Sequence, residues 1–233
     1  MAFYQIASLL NAEFYYQPSF IPSRQTSDLY LQLLNQTPFN LDNHSKREAI
    51  FYSIDPDKPY IYQDRLIPSL LFEDQMEILR LNVSKAVSAI PGYENTIYDT
   101  CLVNYYPNGE ATIAPHCDKE TILIFNKPIA SLSLGADRNF DLYLKPLNDN
   151  RGHVSYSPDY TLIDYEFDVS TNQDPFGSWI KPRTHWRYRM TLHSGSLLVM
   201  GKNSQKNYLH GIPEQTSIKE GRLNLTFRVT SNQ

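Results

Sequence analysis

The chain has 233 residues, of which 41% are hydrophobic, 13% aromatic and 20% charged. That is globular composition at a length that buries a sizeable core, and it excludes a disordered or coiled-coil chain. The 21 Lys and Arg against 25 Asp and Glu leave a net charge of −4, so no overall basic field draws the chain to nucleic acid or an anionic membrane. Any such partner must be met by a local patch.

Only Cys101 and Cys117 carry thiols, which gives neither a disulfide framework nor a four-thiolate metal site. Residues 1–14 lack the charged and apolar regions of a signal peptide. No stretch approaches the roughly 18 apolar residues of a membrane helix. The expectation is a soluble intracellular protein, cytoplasmic or nuclear, with no membrane association and no obligate protein partner.

In chain order, Ser27 and Asp28 read as the cap of a short helix through Leu29, Leu33 and Leu34, ended near Pro38. Lys46 to Tyr62 is rich in Phe, Tyr and Ile around Asp55-Pro56-Asp57, which predicts a hairpin. Phe72, Met76, Leu79, Val83, Val87 and Ile90 then recur at steps of three and four, the period of an amphipathic helix that stops at Pro91-Gly92. From Asp99 onward the helical period is lost. Strand-like runs follow at 101–106, 129–134, 140–144, 160–168, 186–192, 196–200 and 222–230, several of them separated by turn residues such as Pro107-Asn108-Gly109. The reading is one domain: an antiparallel β-sandwich behind a helical buttress.

Charge is uneven. Residues 148–174 hold six acids against Arg151, whereas residues 175–213 hold six Lys or Arg and no acid. Lys181, Arg183, Arg187 and Arg189, with His185 between them, would share one face of a strand. That ridge suits phosphates, and it equally suits pairing with the acidic stretch before it.

The sharpest chemical signal is His116-Cys117-Asp118. An imidazole and a carboxylate two residues apart on an extended segment point the same way and can meet one ion. A second His from a distant strand would complete a two-histidine, one-carboxylate triad of the kind that holds non-haem Fe(II) with positions open for cosubstrate and dioxygen. The run Arg222-Leu-Asn224-Leu-Thr226-Phe-Arg228 alternates a polar face with Leu223, Leu225 and Phe227. Guanidinium groups on an inward face are costly unless paired, so two of them imply a clamped dicarboxylate or phosphate. An edge strand with its Arg side chains in solvent is the alternative. For the second His, His210 sits best, twelve residues before Arg222, with His193 second. His44 precedes the helix, and His153 and His185 fall in the charged stretch.

Together these residues resemble the AlkB-type Fe(II)/2-oxoglutarate dioxygenases over roughly residues 47 to 230. The resemblance rests on Leu-Val-Asn104-Tyr-Tyr106 with Asn-Gly after it, His116-Cys-Asp118-Lys-Glu120, Pro128-Ile-Ala-Ser-Leu-Ser-Leu-Gly135, His193-Ser-Gly-Ser-Leu-Leu-Val-Met200, His210-Gly-Ile-Pro and Arg222-Leu-Asn-Leu-Thr-Phe-Arg228. It implies an α+β, mainly β fold: a double-stranded β-helix (jelly-roll) core over 99–230, an N-terminal extension over 1–46 and a substrate-covering hairpin over 47–66. By the same resemblance His116, Asp118 and His210 bind Fe(II). Arg222, Asn224 and Arg228 hold the 2-oxoglutarate carboxylates, with Asn104 and Tyr106 adding hydrogen bonds. Glu120 meets the alkylated base and Tyr60 and Tyr62 cover it, while Lys181, Arg183, Arg187 and Arg189 are left for the phosphates. The hairpin's own core is the plainer place for the two tyrosines.

The implied reaction is oxidative demethylation of N-alkylated bases in DNA or RNA, as in repair of DNA damage. Dioxygen is consumed, 2-oxoglutarate becomes succinate and CO2, and the methyl carbon leaves as formaldehyde. A base within a duplex must be flipped out to react, at a cost of a few kcal/mol. The segment from Lys145 to about His185 is longer than in the repair enzymes and reads as an insertion. The same core acting on a small molecule or protein, or serving as a non-catalytic binding module, are the rival readings.

Overall fold

The structure, a computed structural model, describes residues 2–7, 9, 11–41, 46–57, 60–62, 65–118, 127–145, 174–180 and 187–230. In chain order the elements are β1 (Tyr4–Gln5), β2 (Phe14–Gln17), α1 (Ser23–Gln36), β3 (Glu48–Ser53), β4 (Tyr60–Tyr62), β5 (Arg65–Ile67), β6 (Ser69–Leu71), α2 (Asp74–Ser88) and β7 (Thr100–Tyr106). They continue as β8 (Ile113–His116), β9 (Ile129–Gly135), β10 (Arg138–Leu144), β11 (Gly177–Ile180), β12 (Arg187–Leu192), β13 (Leu197–Met200), α3 (Ser204–Asn207), β14 (Tyr208–Ile212) and β15 (Arg222–Arg228).

Two sheets face each other. The larger runs β1-β2-β13-β9-β15-β7-β3-β6 and the smaller β11-β12-β10-β14-β8. Taken alone, β7, β15, β9 and β13 oppose β8, β14, β10 and β12, with the chain passing repeatedly from one sheet to the other. That is the double-stranded β-helix, the jelly-roll answer to exposed sheet edges. The N-terminal strand β2 extends it past β13, and β3 extends it past β7.

Side-chain alternation divides the core in two. Leu223, Leu225 and Phe227 of β15, with Val103 of β7 and Leu132 of β9, pack on Leu29 and Leu33 of α1 and on Met76, Leu79, Val83 and Val87 of α2. Phe140, Leu142, Tyr188, Met190, Leu198 and Tyr208 fill the space between the sheets instead. The helix predicted from Phe72 starts two residues later, at Asp74, and stops before Pro91-Gly92, with Asp74 and Glu77 in its first turn and Lys85 in its last, the signs its dipole favours. No described helix is long and apolar enough to cross a membrane.

Two local expectations are corrected. Ser27 and Asp28 do not cap α1: it starts at Ser23 after Pro22, whose fixed φ of −56° enters the first turn without a side-chain cap. Asp55-Pro56-Asp57 does not close a hairpin between 46 and 62. β3 pairs antiparallel with β7 and parallel with β6, while β4 pairs with β5. The inward-facing reading of Arg222–Arg228 holds, and its edge-strand alternative does not: β7 and β9 flank β15 and all seven of its residues are buried. The predicted strand at 160–168 lies outside the described residues. β11, inside the predicted insertion, pairs with β12.

Candidate metal and cosubstrate site

β8 and β14 are neighbours in the smaller sheet, and their register sets His116 opposite His210, ring centroids 4.4 Å apart. Asp118 follows β8 and brings Oδ1 to 3.6 Å from His116 Nε2 and 3.8 Å from His210 Nε2. One ligand atom from each of the three lies within 4.8 Å of the others. His116 Nδ1 is 2.9 Å from the Ala114 carbonyl, an acceptor only, so Nδ1 carries the proton and Nε2 keeps its lone pair. The His210 ring stacks on Phe140.

The protonation states suit a cation. Burial pushes His210 down to about 3, against the pull of Asp118, and holds it neutral. Burial pushes the Asp118 carboxyl up, but Arg228, His210 and His116 together outweigh it and keep the group below the ordinary carboxylate range. Two imidazoles and one carboxylate form the donor set of a non-haem Fe(II) site.

The facing wall comes from the larger sheet. Arg222, Asn224, Thr226 and Arg228 of β15 line one cavity with Asn104 and Tyr106 of β7, Ser131 of β9 and the His–Asp–His cluster. Arg222 is 1% exposed and donates from Nη2 to Ser133 Oγ at 2.9 Å, while its Nε and Nη1 are buried without a hydrogen-bond partner. Its guanidinium stands over the Tyr106 ring. Burial lowers it to about 10, which still leaves a cation at neutral pH. Unspent donors on a buried cation fit a carboxylate ligand, as 2-oxoglutarate would supply.

The other predicted contacts are differently engaged. Arg228 donates through Nε and Nη2 to Asp118 Oδ2, at 3.0 and 2.7 Å, and so braces the carboxylate of the metal cluster. Asn224 spends its amide on Ser131 Oγ and the Leu132 carbonyl and accepts from Thr226. Asn104 Oδ1 accepts from Arg47.

For the substrate contacts, Glu120, Lys181 and Arg183 lie outside the described residues, as do His44, His153 and His185. Tyr60 and Tyr62 lie on β4, in a two-stranded sheet with β5. Arg187 and Arg189 alternate along β12 with the core residues Tyr188 and Met190 and pair with Asp141 on the neighbouring strand. Arg189 does so with two bonds of 2.6 Å, and Arg187 approaches to 3.5 Å. Among the described residues, Asp141 is thus their carboxylate partner, while residues 148–173 of the acidic stretch lie outside the described residues. His193 bonds Asp137 at the surface and takes no part in the cluster.

Sequence reasoning missed Arg47, Ser131 and Ser133. The two serines alternate with Ala130, Leu132 and Leu134 on β9, a period-two signal that was there to be read. Arg47 carries no such signal.

Residues 13–228 match the model of the 2OG-Fe(II) oxygenase superfamily. Among curated relatives, the rat alpha-ketoglutarate-dependent dioxygenase alkB homolog 3 is 30% identical over 137 residues, 58% of this chain and 37% of that protein. The DNA oxidative demethylase ALKBH2 of Arabidopsis thaliana is 29% identical over 57% of this chain and 38% of its own length. Human ALKBH2 is 30% identical over 60% and 42%. The alignments therefore span about two fifths of these relatives. The solved structure of OsALKBH1 superposes with a TM-score of 0.54 at 19% identity, covering 95% of this chain and 100% of that one, a likeness of fold.

Proposed function

This chain belongs to the 2OG-Fe(II) oxygenase superfamily, and from that premise we propose that it is an Fe(II)/2-oxoglutarate-dependent dioxygenase of the cytoplasm or nucleus that oxidatively removes N-alkyl groups from bases of DNA or RNA. The observation that carries the reading is the His116–Asp118–His210 cluster sharing one cavity with the unspent donors of Arg222. The names of its relatives, one a DNA oxidative demethylase, support a nucleic-acid substrate.

His116 and His210 would hold the metal through Nε2 and Asp118 through a carboxylate oxygen. Bound there, Fe(II) with 2-oxoglutarate supplies the oxidising power by which dioxygen hydroxylates a C–H bond, succinate and CO2 being the co-products. The rest falls to the chain. Arg222 would clamp the distal carboxylate of the cosubstrate, with Tyr106 beside it. Arg228 fixes the orientation of Asp118, and Asn104 and Asn224 complete the polar lining. Leu102, Ile113, Phe140, Met200 and Ile212 line the same cavity and keep bulk water from the reacting carbon.

On the substrate side, an alkylated cationic base suits Glu120, and Tyr60 and Tyr62 supply rings for an unstacked base. Lys181, Arg183, Arg187 and Arg189 are the basic residues for the phosphates. Hydroxylation of an N-methyl carbon gives a hemiaminal, which collapses to the free base and formaldehyde.

Succinate and formaldehyde release is the test, with Fe(II), 2-oxoglutarate and methylated single- and double-stranded oligonucleotides. Both products are expected, formaldehyde only with methylated oligonucleotide and with Asp118 intact. Succinate without oligonucleotide-dependent formaldehyde would move the substrate elsewhere. Neither product, with Asp118→Ala indistinguishable from wild type, would overturn the enzyme.

A further inference from the structure

α3 is a four-residue helix between β13 and the strand that carries His210. It is held from several sides. Ser204 Oγ bonds the Gly201 carbonyl at 2.7 Å, and the Asn207 side chain donates to the Asn11 carbonyl at 2.6 Å. From the end of β10, Lys145 donates twice: its backbone N–H to the Asn207 carbonyl at 2.7 Å and its ammonium to the Gln205 carbonyl at 2.8 Å. Asn203, in the left-handed region at φ 62°, sets the entry into the helix.

From this fixed turn the Gln205 side chain reaches across to the chain after β8. Its Oε1 accepts the backbone N–H of Asp118 at 2.9 Å. Its Nε2 lies 3.5 Å from Met200 Sδ and 3.4 Å from Ser204 Oγ, contacts that turn the amide so that the oxygen faces Asp118. Arg228 grips the Asp118 side chain by Oδ2, and Gln205 grips the same residue by its backbone. Gripped at both ends, the carboxylate has one direction left for Oδ1, toward His116 and His210. Gln205 also lies five residues before His210, so one short helix registers two of the three ligand positions.

We propose that Gln205 is a positioning residue of the metal centre: it fixes the backbone of Asp118 relative to His210 and so sets the affinity of the site for its divalent ion. The inference rests on the metal reading given above. Partners one shell out from a metal ligand are worth about 10–100-fold in affinity.

Titration calorimetry of the metal-free protein with Mn(II) alone, together with backbone amide exchange at Asp118, tests it. Gln205→Met keeps the length and the contact with Met200 but removes the acceptor. It is expected to weaken Mn(II) about 10–100-fold and to speed exchange of the Asp118 amide, with an unchanged far-ultraviolet circular dichroism spectrum. Gln205→Glu, which keeps an acceptor oxygen, is expected to restore both the protection and the affinity. Affinity within twofold of wild type and unchanged exchange in Gln205→Met would overturn the proposal. So would loss of binding accompanied by loss of the folded spectrum, since Gln205 would then be a residue of the fold. His210→Ala separates the two levels. If wild type and His210→Ala bind Mn(II) equally weakly, the metal reading falls and the inference with it. If only Gln205→Met is silent, the inference alone falls.

Discussion

Arg138 and Arg222 are both 1% exposed, and both stand over the ring of Tyr106, at 5.8 and 5.2 Å. Arg138 spends its donors on the chain. Nη1 bonds the Asn108 carbonyl, Nη2 reaches the carbonyls of Gly109, Ala111 and Pro213, and Nε reaches Gln215 Oε1. It ties the turn after β7 to the loop after β14, at a crossing so close that a Cβ at Gly109 would run into the Gln215 carbonyl. Arg222 bonds Ser133 through Nη2 and keeps Nε and Nη1 in reserve. Two residues with the same charge, burial and aromatic neighbour thus differ in how many donors are used. A guanidinium with every donor occupied holds a fold together, whereas one with donors left over is built to receive something.

That contrast predicts opposite phenotypes. Arg138→Met strands several buried carbonyls at once and should cost about 3–5 kcal/mol, read as a drop in Tm of roughly 10 °C. Arg222→Met should leave Tm unchanged or raise it, because a desolvated and half-satisfied cation has been removed. The same variant should weaken 2-oxoglutarate binding by about 100-fold or more, through loss of a charge-assisted pair. If Arg222→Met unfolds the protein while Arg138→Met spares it, the contrast is reversed.

The reserve of Arg222 can also be titrated. Its guanidinium is pushed down to about 10 by burial, so it loses its proton before any exposed arginine does. A carboxylate needs the charged form. The affinity of metal-free protein for 2-oxoglutarate should therefore be flat below that pH and fall about tenfold per unit above it. Protein fluorescence or calorimetry between pH 8 and 11 would follow the change, and Arg222→Met should abolish the dependence. The smallest effect is expected at Arg189, a third arginine with its donors spent, here on Asp141. Its side chain is 25% exposed and Arg187 stays beside the carboxylate, so Arg189→Met should cost about 1 kcal/mol in chemical denaturation.

The two arginines also mark what was legible in the sequence. Arg222 could be read because its neighbours alternate: a strand with Leu223, Leu225 and Phe227 on one face must put something on the other. Spacing showed His116 and Asp118 as a pair, and the resemblance added His210; that the two histidines stand opposite each other on β8 and β14 is a matter of sheet register, which the sequence does not carry. Arg138 could not be read, since its acceptors are mainly backbone carbonyls from segments far apart in the chain, and a carbonyl leaves no trace in residue identity. Gln205 is hidden for the same reason, its partner being a backbone N–H. Asp55-Pro56-Asp57 misled because turn chemistry is local, whereas β3 finds its partners in β7, some fifty residues later, and in β6. Arg187 and Arg189 were even-handed in the sequence. The deciding carboxylate, Asp141, sits across a sheet register that spacing alone does not give.

The pairing of β2 with β13 has a consequence for how the chain is made. Leu197–Met200 lies against Phe14–Gln17, in register and fully buried. During synthesis, the earlier strand is complete roughly 180 residues before its partner, about 10–35 s at 5–20 residues per second. Throughout that interval Phe14 and Tyr16 have no sheet to join and remain open to solvent, to chaperones or to another nascent chain. Closing that pair is among the long-range steps that slow a fold of high contact order. The nascent polypeptide therefore carries a sticky segment until β13 arrives to cover it.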